Sequence, residues 1–375
     1  MRLIVFFCCA IFSAISSAET LVYFGTYTRG NSGSEGIYVC TLDESGGRLS
    51  SPRLAATADN PSFVAIHPNG KTLYAVSETP FTGDDSVGIV AYSIQSDGTL
   101  AKLNERSTRG GAACHVAVHP SGRIVGVANY SGGSCATYLI NDDGSLGEIA
   151  SFHQHVGSSV NESRQKEAHA HSINFSEDGS QAFVADLGMD QIVIYDIDGR
   201  TGEMTPADQP SLAMPAGGGP RHFCFTPSGT AALANLELTS EAALLRYDSK
   251  EKKLVLGNVA STLPAGKPVP GNSTAECLVH PSGTIAYVSN RGHNSIAVFQ
   301  LDVDSGTVKL IENQPTLGEI PRGFGISPDG KFLVVANQNS GNVVSLSIDP
   351  TTGTLAPVGS EIKVGTPVNV RFLKR

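Results

Sequence analysis

The 375-residue sequence has no tryptophan, only four methionines, and charged side chains at just 16% of its positions. Basic residues are the scarcer sign: 26 Lys and Arg stand against 35 Asp and Glu, a formal net charge of −9. A protein that grips a phosphate backbone works through a basic surface, so this balance excludes a general nucleic-acid binder. Cysteine is sparse after the first nine residues. The five beyond that point, Cys40, Cys114, Cys135, Cys224 and Cys277, are odd in number and widely spaced. That excludes a disulfide scaffold and a CxxC metal site. They read as small buried residues, with room for one or two bridges in an oxidising compartment and at least one thiol left over. A GxSxG setting for a nucleophilic serine is absent as well.

Long apolar runs are missing with one exception. Arg2 is followed by an apolar stretch over residues 3–15 and then by Ser16, Ser17 and Ala18. The basic start, the short hydrophobic stretch and the small-residue end predict a secretory signal cut after Ala18. The stretch is short for a membrane span of ~20 residues. The expected product is therefore an exported chain over 19–375, periplasmic or secreted, without a membrane span.

What the sequence has in abundance is turn formers, 41 Gly and 20 Pro, beside 40% hydrophobic residues. That combination provides a core and excludes both disorder and a helical bundle. The turns recur. HPNG (67–70), HPSG (119–122), SEDG (176–179), TPSG (226–229), HPSG (280–283) and SPDG (327–330) are separated by steps of 52, 57, 50, 54 and 47 residues. Each follows one short apolar run and precedes two more, with a weaker fourth after a second turn. Runs of this length bounded by Gly, Pro, Asp and Asn are strands. Four strands repeated about every 50 residues predict an all-β propeller. Six signatures are visible, yet the third run occurs seven times. The extra copy, GIYVCTL (36–42), follows LVYFGTY (21–27), and its missing first strand is TPVNVRF (366–372). The expectation is a single domain of seven four-stranded antiparallel blades, closed by a composite blade of both termini. Without Trp or a WD dipeptide, a WD40 array does not fit.

In such a blade the start of strand one and the end of strand two share a rim around the central channel. Five residues before each turn signature stand Ser62, Cys114, His171, Arg221, Ala275 and Arg322; eight after each signature's Gly stand Glu78, Tyr130, Leu187, Glu237, Arg291 and Gln338. His169, two residues from His171, points to the same side of an extended segment. Neighbouring slots add His115, His222 and Glu276. So many His and Arg at one mouth of an acidic protein predict a site for a small anion, since Arg suits carboxylate and phosphate. Two polar loops, 158–170 and 264–275, lead to the same side and read as substrate-contacting segments. The histidines of the HP turns, His67, His119 and His280, recur with the fold and read as structural.

AHAHSINFSEDG (168–179), GPRHFCFTPSG (219–229), AECLVHPSG (275–283), YVSNRGHNSIAVF (287–299) and PRGFGISPDG (321–330) resemble the seven-bladed lactonase family. That family includes propeller-type 6-phosphogluconolactonases and the carboxy-cis,cis-muconate lactonizing enzyme, and the similarity covers essentially all of 19–375. The resemblance implies a catalytic set of His169, His171, Arg221, Glu237 and Arg291, and the register adds Arg322, His222, Glu276, Glu78 and His115 at the same mouth as expected substrate-binding groups. Where family members read Asn-Glu-Leu, this chain reads Asn235-Leu236-Glu237-Leu238. The implied activity is hydrolysis of a small anionic or sugar lactone, with a base to take the water proton and Arg to hold the oxyanion. No metal or other cofactor is expected. A muconate-type cycloisomerase and a non-catalytic propeller of the cell envelope are the alternatives, because propellers host many functions.

Overall fold

The computed structural model describes residues 19–375, so the expected signal segment, 1–18, lies outside the described residues. These residues form 28 strands in seven four-stranded antiparallel sheets. Blades 1 to 6 follow the chain, and their inner strands are Val64–Ile66, Ala113–Val118, Ala170–Phe175, Pro220–Phe225, Ser273–Val279 and Pro321–Ile326. Blade 7 is composite. Its inner strand Pro367–Lys374 pairs antiparallel with Thr20–Thr26, Val22 opposite Phe372 and Phe24 opposite Val370. Both ends of the described residues thus lie in one sheet, as the count of seven third strands against six turns predicts.

The apolar strand residues fill seven hydrophobic clusters, each between two neighbouring blades. Between blades 3 and 4, for example, Phe183 stacks on Phe223 with ring centres 5.4 Å apart and meets Tyr247 edge-on. Each blade therefore depends on both neighbours to bury its faces. Polar contacts fix the same interfaces. Nε2 of His67, His119 and His280 lies 2.7, 2.9 and 2.9 Å from the carbonyl oxygens of Gly122, Gly179 and Gly330, the turn glycines of the following blades. The HP histidines are blade-to-blade ties.

The five cysteines among the described residues are all free thiols, which corrects the allowance for one or two bridges. Four of them are buried on separate strands, where they act as small apolar residues.

Candidate active site at the channel mouth

The inner strands of blades 2 to 6 are irregular at their mouth ends. Pairing slips between Ala113 and His115, Ala170 and Ser172, Pro220 and Phe223, Thr274 and Cys277, and Pro321 and Gly323. Each inner strand carries one residue more than its partner there. In blade 4, Arg221 and His222 together oppose Asn235. A bulge of this kind bends the strand and re-aims side chains. The residues in the bulges, Cys114, His171, Arg221, Ala275 and Arg322, are the ones that counting back from the turns selects.

Glu237 is the centre of the site. Its carboxylate follows the second strand of blade 4, Ala231–Leu236, while Asn235 and Leu236 stay buried beneath. Oε2 lies 3.0 Å from Arg221 Nε and 3.0 Å from Arg291 Nη2, and Oε1 lies 2.8 Å from Arg164 Nη2. Burial alone would raise the Glu237 pKa, but Arg291, Arg221 and Arg164 hold it at about 2. Burial pushes Arg221 and Arg291 down, the latter to about 10, so both remain cationic at neutral pH. Three guanidiniums thus share one carboxylate, a surplus of positive charge where water is scarce. Neither Arg221 Nε nor Arg291 Nε has a hydrogen bond of good geometry among the described residues. Arg221 Nε still faces Glu237 Oε2 as an ion pair, whereas Arg291 Nε has no partner among the described residues and is the donor left for an incoming acceptor.

Tyr130, at the end of strand Ile124–Asn129 of blade 2, links the arginines to the histidine pair. Its hydroxyl oxygen accepts from Arg164 Nη2 at 3.0 Å, and its ring stacks on His169 with centres 4.5 Å apart and planes 11° apart. His171 meets the same ring edge-on at 5.2 Å. His169 Nδ1 lies 3.0 Å from the Tyr130 carbonyl oxygen, which can only accept, so Nδ1 carries a proton and the neutral ring has its lone pair on Nε2. His171 is buried beside Cys114, whose Sγ is 3.7 Å from Nδ1. Burial and then Arg221 and His222 lower its pKa well below the usual histidine value, so the ring is neutral.

On the far side of the mouth Glu78 accepts from Tyr27 Oη at 3.0 Å and from the Ser62 hydroxyl. The Arg322 guanidinium lies 5.4 Å from the Tyr27 ring centre. His115, His222 and Glu276 sit one layer further in, all buried. Arg221 Nη1 donates to His222 Nε2 at 3.0 Å, and His222 Nδ1–H donates to Glu276 Oε1. Burial holds His222 down at about 4, although Glu276 pulls it up. His115 packs on Phe63 at 4.2 Å and on His222 at 5.3 Å, and Arg371 covers Phe63 at 4.5 Å. These five side chains floor the site. Among the described residues no three His, Cys, Asp or Glu converge as a metal cage needs.

Two residues at the centre were not singled out from the sequence. Tyr130 occupies a rim slot, but its residue type carries no charge signal. Arg164 belongs to loop 158–170, which lies between strands and outside the repeat, so no register argument reaches it. His293, beside Arg291, bonds locally, its Nδ1 lying 2.7 Å from Ser295 Oγ.

The class is a seven-bladed β-propeller that gathers guanidinium charge, a carboxylate and a neutral imidazole at one floored channel mouth. The family follows from comparison with known proteins. Residues 21–372 match the model described as "Lactonase, 7-bladed beta-propeller", and the chain belongs to that family. It is 36% identical over 353 residues to a 6-phosphogluconolactonase of Bacillus subtilis, covering 94% of this chain and 97% of the relative. Among solved structures, a periplasmic gluconolactonase of Pseudomonas aeruginosa superposes with a TM-score of 0.87 at 31% identity, covering 95% of this chain and 99% of the other. A putative 6-phosphogluconolactonase of Bacteroides fragilis gives 0.86 at 30% identity, covering 96% and 99%.

Proposed function

We propose that the protein is an exported lactonase that opens a small sugar lactone, free or phosphorylated, by adding water at the channel mouth. The observation that carries this reading is the convergence of Arg164, Arg221 and Arg291 on Glu237 beside His169, whose Nδ1 is held by the Tyr130 carbonyl so that Nε2 is the free ring nitrogen. The ester carbonyl lies against Arg221 and Arg291, whose guanidinium charge stabilises the oxygen as it gains charge. His169 Nε2 takes a proton from water as that water attacks the carbonyl carbon. The ring C–O bond then breaks, and the imidazolium returns its proton to the departing alkoxide. The product is the open hydroxy acid.

Glu237 is held at about 2 and is too weak a base for this step; it acts as the counter-ion that aims three arginines. His171, neutral and behind His169, orients the substrate, and Arg322 with Glu78 contacts its distal hydroxyls or phosphate. His115, His222 and Glu276 act from beneath by holding Arg221. No step calls on a metal or cofactor. Export rests on the predicted signal at 1–18 and is supported by the likeness to a periplasmic gluconolactonase. The test is acid release from a lactone panel, including glucono-δ-lactone and its 6-phosphate, followed by pH-stat with the spontaneous rate subtracted. Catalysis of at least one of the panel supports the reading; no catalysis of any moves a non-catalytic binding role ahead.

A further inference from the structure

The turn after strand Gln181–Asp186 of blade 3 ends at Asp190, which is buried and has no place in the chemistry above. Its carboxylate receives four donors from two separate loops. Oδ1 accepts from Gly219 N and Gln165 Nε2 at 2.6 and 2.7 Å; Oδ2 accepts from Gly217 N and Ser159 Oγ, both at 2.6 Å. One loop carries Arg164. The other runs directly into Arg221. The connection to Arg164 continues through Gln165, whose Oε1 accepts from Asn161 N, and through Asn161, whose Oδ1 accepts from Arg164 N. On the other side, Gly219 O accepts from Glu237 N at 2.8 Å.

The turn itself does not require a carboxylate. The residue at the same place is Gly133 in blade 2, Ser240 in blade 4, Asn294 in blade 5 and Gly341 in blade 6, all at left-handed φ between 54 and 60°. Asp190 has φ 53°. Among blades 2 to 6 only blade 3 places a charge there, and that charge receives donors from two loops that lead to the mouth.

We propose that Asp190 is a positioning residue, which sets Arg164 and Arg221 against Glu237. This rests on the lactonase reading for its kinetic consequence but not for its structural one. Asp190→Asn is the test substitution, because Asn already occupies this turn in blade 5. Its amide group turns a donor toward donors and loosens one or both loops. The expected loss in kcat/KM is ~10²-fold, the scale of a misplacement near 1 Å. In an Arg164→Ala background the same change should cost less than in the unmutated protein, because the part of the loss that runs through Arg164 is already gone. Hydrogen exchange gives a readout free of any substrate: amides of 158–170 and 214–221 should exchange faster in Asp190→Asn, with the blade strands unchanged. Ser159→Ala removes one donor from a half-buried loop and should show the same pattern more weakly. Additive kinetic losses, or exchange in both loops equal to the unmutated protein, overturn the proposal. If the unmutated protein opens no lactone, the lactonase reading fails and the exchange comparison still decides this one.

Discussion

Arg221 Nε stands 3.0 Å from Glu237 Oε2, while Nη1 of the same guanidinium stands 3.0 Å from His222 Nε2. Arg221 thus joins the mouth to the floor. His222 must be neutral to accept from it, and Glu276 holds the other imidazole nitrogen. The chain Glu276–His222–Arg221–Glu237 explains why two residues that adjoin in sequence do different work: the bulge lets Arg221 reach the mouth while His222 supports it.

Removing the Glu237 charge should destabilise the protein more than it alters any proton transfer. Glu237→Gln leaves three guanidiniums without their shared partner, a loss on the scale of ~3–5 kcal/mol for a broken buried pair. The melting temperature should fall, and millimolar sulfate should recover part of it by supplying an anion. The folded pKa, about 2, is below the unfolded value, so this stability is present above about 4.5 and is lost as pH falls toward 2. Melting scans from pH 6 to 2.5 should therefore show a steeper acid decline in the unmutated protein than in Glu237→Gln. Parallel curves would contradict the ion-pair account.

A second pH effect lies in the alkaline range. His155 is buried with Nδ1 2.7 Å from Asp186 Oδ2 and Nε2 3.0 Å from Tyr195 Oη. Burial is the largest single influence and opposes its charge, but the Asp186 hydrogen bond, the Cys135 contact and the Asp186 charge together lift the pKa to about 10. A raised histidine contributes stability that is full below about 6.5 and is lost as pH rises through 10. Chemical denaturation of the unmutated protein should show a falling midpoint across that window. His155→Gln should be less stable at pH 6.5 and show a flatter profile; an equal slope in both would refute the assignment.

Ring closure should be essential. Deleting residues 367–375 removes the inner strand of blade 7 and bares the edge of Thr20–Thr26. It also opens the clusters that blade 7 shares with blades 1 and 6. The shortened chain should be aggregated or unfolded by circular dichroism and size exclusion. A folded monomer with an unchanged melting temperature would contradict closure by both termini.

The blade count and the rim slots were legible because the turns repeat. Gly70, Gly122, Gly179, Gly229, Gly283 and Gly330 all hold left-handed φ between 66 and 77°, where glycine carries no steric penalty. Each is a fixed point from which strand positions can be counted, and Arg221, Glu237 and Arg291 fall at the mouth by that count. The bulges were not legible, since pairing between strands sets them. With them went the depth of His115, His222 and Glu276, which strict alternation leaves beside the mouth. Arg164 is set by tertiary contacts of a single loop, through Asn161, Gln165 and Asp190, and strand periodicity says nothing about such a loop.

The most direct test is the rate of acid release from glucono-δ-lactone and its 6-phosphate, comparing the unmutated protein with His169→Gln and Arg291→Ala. Spontaneous hydrolysis is subtracted, and circular dichroism verifies folding. The account predicts clear catalysis by the unmutated protein, a loss of ~10²–10⁴-fold for His169→Gln as the general base, and a loss of ~10²–10³-fold for Arg291→Ala as an oxyanion donor. Catalysis that survives both changes at near-normal rates would contradict it.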